Sequence, residues 1–167
     1  MARRAFFSFH YERDIWRANV VRQSWLMHPD RETAGFWDAS LWEEAKQNAA
    51  RVRKMINEAL DTCSVTVVLI GAETYQRKWV LEEITESHRR QMGMLGVYIH
   101  RIKDQWGNVD PAGGNPFDQL HVQSGWTTKP LSAFYPTYSW FNDEGYSNLG
   151  KWIEEARNRA VEARTGA

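Results

Sequence analysis

A tryptophan and a carboxylate stand four residues apart, at Trp79 and Glu83, in a segment with helical periodicity. Side chains at this spacing lie on one face of a helix. An aromatic surface beside a carboxylate suits a sugar or a nucleotide, and a position early in the helix favours the ionised carboxylate. The same spacing also fits a solvated acidic face made of Glu82, Glu83 and Glu86, which is the more common case. The spacing alone therefore does not single out Glu83.

Four further polar side chains lie at the ends of predicted strands. His10 and His100 could each touch a pyrophosphate or a ribose, although a hydrogen-bonded structural histidine is more frequent. Ser8 and Asp38 could bond ribose hydroxyls. Ser8 could equally bond the backbone, and Asp38 could cap a turn. The residue types thus indicate a nucleotide site and leave a structural role open for each.

The charge balance and the cysteine content argue against binding of nucleic acid, of a membrane or of a metal ion. Lysine plus arginine number 21 and aspartate plus glutamate also 21, so no net charge favours nucleic acid or an anionic membrane. Cys63 is the single cysteine; we expect an inert buried thiol, and no histidine or cysteine cluster predicts a metal site. The apolar run at residues 67–70 is too short to span a membrane. We expect a cytoplasmic protein.

Strands and helices alternate along the chain, which predicts an α/β fold. The predicted strands cover residues 5–9, 34–38, 65–71 and 94–100, and the predicted helices residues 14–25, 41–61, 77–91 and 146–163. Ser40 and Glu43 have the spacing of a capping box for the second helix, and Gly93 is expected to close the third. No phosphate-binding glycine motif follows any strand, and Ile70-Gly71 replaces the aspartate of a phospho-receiver.

These elements predict one domain over residues 1–167 with a three-layer, flavodoxin-like parallel sheet in the order 2-1-3-4-5. Ligands on such sheets bind beyond the carboxyl ends of the strands. Residues 101–138 are rich in glycine, proline, asparagine and aspartate and predict a long irregular insertion. Insertions of this kind are usually functional.

Three segments resemble the boxes of Toll/interleukin-1-receptor-like (TIR-like) domains. Trp79-Val80-Leu81-Glu82-Glu83-Ile84 is similar to the Trp-x-x-x-Glu segment of NAD-cleaving TIR domains, and residues 6–11 and 36–42 occupy the places of the first strand and of the second strand with its loop. With residues 64–71, 102–104 and 115–117, the chain resembles the TIR-like sensor subunit of bacterial Thoeris antiphage defence over about residues 3–155. The resemblance implies a TIR fold and a catalytic Glu83.

The resemblance also implies a reaction, cleavage of the bond between nicotinamide and ribose in NAD+, with NAD+ as substrate and no cofactor. Glu83 would hold ribose hydroxyls and stabilise an oxocarbenium-like transition state. Nicotinamide departs neutral, so one carboxylate can suffice. The expected product is a cyclic ADP-ribose isomer, formed when an adenosine-ribose hydroxyl captures the cation. Phe7, Trp37 and Trp79 could wall the site against water.

Partners follow from the same resemblance: a phage-derived trigger, an effector protein reached through the nucleotide product, and a homo-oligomer. The alternative is a non-catalytic interaction module, in which the same fold binds a partner through its second-strand loop and its insertion. Bulky residues of the insertion and of the segment after it could serve either role: Trp106, Phe117, Trp126 and Trp140.

Overall fold

A parallel five-stranded sheet lies at the centre of the computed structural model, which describes residues 4–166. Its strands are β1 (Arg4–Ser8), β2 (Glu32–Ala34), β3 (Val65–Ile70), β4 (Gly93–Tyr98) and β7 (Thr137–Ser139), in the order β2-β1-β3-β4-β7. The helices are α1 (Tyr11–Trp25), α2 (Ala39–Ala45), α3 (Ala49–Leu60), α4 (Lys78–Arg89) and α5 (Gly145–Thr165). The expected α/β class and the order 2-1-3-4-5 are confirmed. None of the helices within residues 4–166 is long and apolar enough to cross a membrane.

Both faces of the sheet are covered by helices, which explains why all six residues of β3 are buried. Alternate strand residues point to opposite faces. One face packs under α1 and α5, around Phe7, Val67 and Leu95. The other packs under α3 beside β1 and under α4 beside β3 and β4. The helix α4 thereby begins near the carboxyl ends of β1 and β3, where a ligand is expected.

The second strand lies earlier than the sequence predicts, at Glu32–Ala34 and not at residues 34–38. Gly35 ends it with φ +89°, a conformation that disfavours L side chains. A Cβ at Gly35 would stand 2.3 Å from the Phe7 carbonyl oxygen, so the backbone here approaches β1 closely. Phe36 and Trp37 therefore leave the sheet and lie beyond the strand end.

The long helix predicted over residues 41–61 is wrong, because the chain forms two helices with a break at residues 46–48. Asn48 caps α3 by accepting from the Ala50 and Arg51 amides at 3.0 and 3.3 Å. The predicted capping box is also wrong, since the N-cap of α2 is Asp38 and not Ser40. The short α2 lies beside the start of α1, where the Trp42 and Tyr11 ring centroids are 6.1 Å apart.

The end of α4 is set by Gln91, whose φ of 58° makes it the left-handed residue there. Gly93, which the sequence assigned to this role, instead begins β4. A Cβ at Gly93 would stand 2.6 Å from the Ala156 carbonyl oxygen, so α5 packs directly on the backbone of β4.

The insertion predicted as irregular contains regular structure in its second half. Strands β5 (His121–Ser124) and β6 (Thr127–Pro130) pair antiparallel in a hairpin outside the main sheet. The last two residues of the predicted insertion begin β7, which pairs with β4. Phe117 is fully buried in the core under α4. It is therefore unavailable for the partner contact considered above.

Candidate active site

A cleft of about 370 Å³ opens where β1 ends and α4 begins. Its walls contain five of the residues that the sequence singled out for a nucleotide site: Phe7, His10, Trp37, Trp79 and Glu83. The β1–α1 turn supplies His10, the loop after β2 supplies Trp37, and the first turns of α4 supply Trp79 and Glu83. The parallel topology thus brings three distant segments to one edge of the sheet.

Glu83 is buried, with 3% of its surface exposed, so the solvated acidic face considered for this helix does not include it. Burial raises the pKa of the Glu83 carboxyl from its ordinary 4.5 to about 8, and the nearby Ser8 hydroxyl opposes that rise. In the free protein, desolvation therefore opposes the ionised form of this carboxyl that a position early in the helix favours.

The carboxyl also lacks a firm polar partner. Among the described residues, neither Glu83 Oε2 nor Ser8 Oγ has a hydrogen bond of ordinary geometry; the Ser8 contact that lowers the pKa of Glu83 is therefore a weak one. A buried oxygen without a partner is costly to a fold and is uncommon away from functional positions. Glu83 is the residue of the cleft that most needs a ligand.

The side of the cleft facing α2 is aromatic. Trp37 and Trp42 stack with ring centroids 5.4 Å apart and an interplanar angle of 10°, and the Tyr11 hydroxyl donates to the Trp37 carbonyl at 3.0 Å. The sequence singled out Trp37 as a site residue, whereas Tyr11 and Trp42 were indicated only as members of the segments that resemble TIR-like boxes. Trp42 lines the cleft from the first turn of α2, and the periodicity of residues 41–61 marked it only as a helix residue.

Trp79 is half-buried and has two kinds of neighbours. It packs against the apolar group of β1, α2 and α3 on the inner side. Two cations approach its ring, Lys78 Nζ at 4.7 Å and the Arg53 guanidinium at 5.8 Å from the centroid. Trp79 therefore belongs both to the core and to the cleft wall.

The mouth of the cleft carries cations, which the sequence analysis did not assign to a site. Lys46, Arg77 and Lys78 line it. Lys46 is paired with Glu12 and Glu43, and Arg77 Nη2 lies 3.1 Å from Glu73 Oε1. Burial and the neighbouring Arg77 charge lower the pKa of His10 below its ordinary value, so its imidazole is neutral at pH 7. The sequence offered one indication of these cations, because Arg77 and Lys78 directly precede Trp79 in the chain.

Three predicted site residues do not line the cleft. Ser8 lies fully buried beneath it, beside Glu83. Asp38 is exposed and accepts from the Ser40 and Leu41 amides at 2.9 and 3.3 Å, which is the capping role considered for it. His100 lies beyond β4, separated from β1 by β3, and the Arg17 and Arg101 charges act on it.

Within residues 4–166, no three side chains of histidine, cysteine, aspartate or glutamate form a cluster that could hold a metal ion. Cys63 is half-buried, and burial raises the pKa of its thiol. Its Sγ contacts the Ala59 carbonyl at 3.4 Å. The cleft thus offers one buried carboxyl, Glu83, an exposed carboxyl, Glu12, that is paired with Lys46, and aromatic rings and cations.

Comparison with known proteins gives two findings that agree with this geometry. Residues 6–104 match the family model described as "Thoeris protein ThsB, TIR-like domain". A Bacillus cereus (strain MSX-D12) protein named "Putative cyclic ADP-D-ribose synthase ThsB1" is 35% identical over 192 aligned positions, covering 92% of this chain and the whole of that protein. The matched residues 6–104 contain the end of β1, the second-strand loop and α4, which together form the cleft.

Proposed function

Because this chain belongs to the TIR-like domain family of Thoeris protein ThsB, we propose that it cleaves NAD+ and makes a cyclic ADP-ribose isomer as a signal in antiphage defence. The observation that carries the proposal is the Glu83 carboxyl, buried and without a firm partner in the wall of an aromatic and basic cleft. The name of the Bacillus cereus relative, "Putative cyclic ADP-D-ribose synthase ThsB1", supports the same reaction.

In the proposed reaction, the bond between the ribose C1′ and the nicotinamide nitrogen breaks, and its electron pair leaves with neutral nicotinamide. The remaining ribosyl cation is oxocarbenium-like. A hydroxyl oxygen of the adenosine ribose forms the new bond to C1′ and releases its proton to the Glu83 carboxylate. Capture by water at the same carbon would yield linear ADP-ribose instead.

The raised pKa of Glu83, about 8, suits this order of reaction steps. The positive nicotinamide ring of NAD+ brings an opposite charge into the cleft, and an opposite charge favours the ionised carboxylate. Binding of substrate would thus generate the anion that stabilises the developing cation. A carboxylate with a pKa near the working pH can then accept the hydroxyl proton.

The other walls support the same ligand. The stacked Trp37 and Trp42 rings and the half-buried Trp79 present flat apolar surfaces for a nicotinamide or a ribose face. Arg77 and Lys78 place positive charge at the mouth, where the diphosphate of NAD+ would lie. A neutral His10 could donate or accept a hydrogen bond without adding charge.

The test is NAD+ turnover with chromatographic separation of nicotinamide, ADP-ribose and cyclic products. Glu83→Gln should lower turnover by at least about 100-fold, because the charge that stabilises the transition state is lost. Glu82→Gln is the matched control: Glu82 is one residue away and pairs with Arg53 at 3.4 Å, and its turnover should stay within about twofold. Equal losses in the two variants would contradict the assignment of Glu83.

A further inference from the structure

The first part of the insertion lies directly on the β3–α4 loop, which carries Arg77 into the cleft. A Cβ at Gly113 would stand 2.3 Å from the Gly71 carbonyl oxygen and 2.5 Å from that of Ala72. Such contact is open to glycine alone, so the insertion backbone and the loop backbone touch. The packing of the insertion and the position of the loop are therefore linked.

Asp110 anchors this part of the insertion to α1. Its carboxylate accepts from the Arg17 Nη1 at 2.8 Å and from Arg13 Nε and Nη2 at 3.0 and 3.2 Å. Arg17 is 2% exposed and also donates to the Ile102 and Asn108 carbonyls at 2.7 and 3.0 Å. A buried guanidinium with its donors satisfied in this way fixes Asp110 firmly.

From Asp110 a chain of ion pairs runs to the cleft. Arg13 Nη1 donates to Glu73 Oε2 at 2.8 Å, and Glu73 Oε1 lies 3.1 Å from Arg77 Nη2. Arg13 thus bonds two carboxylates, and Glu73 bonds two guanidinium groups. One exposed ion pair contributes little, but a network that is anchored at Asp110 restricts the rotamers of its members. Arg77 Nε has no hydrogen-bond partner among the described residues.

We propose that Arg13 and Glu73 are positioning residues that connect the insertion to the cleft and hold the Arg77 guanidinium for the diphosphate of the substrate. This inference rests on the proposed function, since it takes the ligand of the cleft to be NAD+. It gives the first part of the insertion a role in substrate binding, although none of its residues lines the cleft.

The experiment measures binding of two probes by calorimetry to the full chain. ADP-ribose carries the diphosphate, and nicotinamide riboside lacks any phosphate. Glu73→Gln should weaken ADP-ribose binding by about fivefold to tenfold, the loss expected when a guanidinium is no longer held in place. Binding of nicotinamide riboside should stay within about twofold. Glu82→Gln serves as the control, because it removes a paired helix carboxylate outside this network.

Arg13→Gln tests the connection to the insertion while leaving Asp110 paired with Arg17. We expect a weaker effect of the same kind, about threefold on ADP-ribose alone, and the Arg13→Gln/Glu73→Gln double variant should bind ADP-ribose like Glu73→Gln. Non-additivity of this kind is the mark of residues that act through one another. Arg13 is 40% exposed, so the variant should fold, which circular dichroism would check.

Among the variants, three results would overturn the inference: unchanged ADP-ribose affinity in Glu73→Gln, equal weakening of both probes, or full additivity of the two substitutions. Absence of ADP-ribose binding by the wild-type protein would overturn it as well. Turnover decides the proposed function separately. A wild-type protein that binds ADP-ribose and never cleaves NAD+ contradicts the proposed function, while the ratio of the two probes still decides the role of Glu73.

Discussion

At the scale of single residues, the proton on Glu83 links the candidate chemistry to the stability of the fold. An unfolded glutamate releases its proton near pH 4.5, whereas the folded protein holds it up to about pH 8. The folded state thus binds more protons than the unfolded state throughout this range. Its stability therefore falls as the pH rises through the window and levels off above about pH 8. The buried Glu83 carboxyl thus lowers the stability of the fold above about pH 4.5 when no cationic substrate is bound.

This linkage predicts a difference between the wild type and Glu83→Gln. Between about pH 5.5 and pH 8 the wild type should lose up to about 1.4 kcal/mol of unfolding free energy per pH unit relative to the variant, because glutamine does not titrate. Urea unfolding of both proteins at the two pH values measures it. All other titrating groups are shared, so they cancel in the comparison. Parallel pH dependence of the two proteins would show that the pKa of Glu83 is not raised.

Trp79 gives a second prediction at this scale, because it belongs to the core and to the cleft wall at once. Trp79→Ala should lower stability by about 2 kcal/mol, less than a fully buried ring, since Trp79 is half-buried. It should also lower NAD+ turnover per folded molecule. Trp79→Phe retains most of the packing and should restore stability more than turnover.

Melting temperatures and turnover per folded molecule separate the two roles of Trp79. NAD+ should also quench tryptophan fluorescence less in Trp79→Ala than in the wild type. If both variants keep full turnover per folded molecule, Trp79 is part of the scaffold only.

The sequence could indicate Glu83 as a candidate through its spacing from Trp79 and through family resemblance, but not its burial. Helical periodicity on α4 marks Val80, Ile84 and either Ser87 or His88 as inward-facing; Ser87 is buried with the first two, and His88 is half-buried. Glu83 stands three residues after Val80 and four before Ser87, on this same stripe, although a carboxylate is ordinarily expected at the surface. In the structure it is 3% exposed and lies beside Ser8 of β1. The contact with Ser8 joins segments that are distant in the chain, so no local pattern could reveal the raised pKa.

At the scale of elements, short polar caps decide where the second-strand loop and its helices lie. Asp38 begins α2 and Asn48 begins α3. Periodicity over residues 41–61 predicted one helix because apolar residues continue with helical spacing across the break. The strongly apolar strands β3 and β4 were predictable, since burial on both faces leaves a continuous apolar run. The three-residue strands β2 and β7 were not, because their pairing supplies most of their stability.

The cap gives a prediction that separates the two roles considered for Asp38. Asp38→Ala should lower stability by about 1 kcal/mol, because two amides at the start of α2 lose their acceptor. Asp38→Asn preserves the acceptor, so it should keep both stability and NAD+ turnover near the wild-type values. Thermal unfolding and the turnover assay measure the two effects. A large loss of turnover in Asp38→Asn at unchanged stability would instead indicate a contact with ribose.

At the scale of the whole molecule, the size of the cleft bears on the state in which the protein works. About 370 Å³ is near the lower end of the roughly 300–1,000 Å³ that small-molecule sites occupy. NAD+ contains two nucleosides joined by a diphosphate. A cleft of this size suits one of these halves. Water can then reach the other nucleoside half of NAD+ unless a second protein surface covers it.

Two exposed tryptophans of the insertion offer surfaces to which a second protein chain could bind. Trp126 at the tip of the β5–β6 hairpin is fully exposed, and Trp106 in the first part of the insertion is 76% exposed. Large exposed rings are unfavourable in water and often mark contact surfaces. The same surfaces would serve a non-catalytic interaction module, so exposure alone does not separate the two functions.

The composition of the product separates the NAD+-cleaving enzyme from the interaction module, because cyclisation requires that the adenosine ribose reach the cation before water does. If a second copy covers the open half of the cleft, the ratio of cyclic product to linear ADP-ribose should rise with protein concentration, in step with the assembly seen by size-exclusion chromatography. A purified protein that is silent at low concentration should then become active at high concentration or on addition of lysate from phage-infected cells. Glu83→Gln should assemble equally and remain inactive. A product ratio that does not change on dilution would show that a single chain closes its own site. Silence under every condition, with assembly intact, would favour the interaction module, in which Glu83 has no substrate to act on.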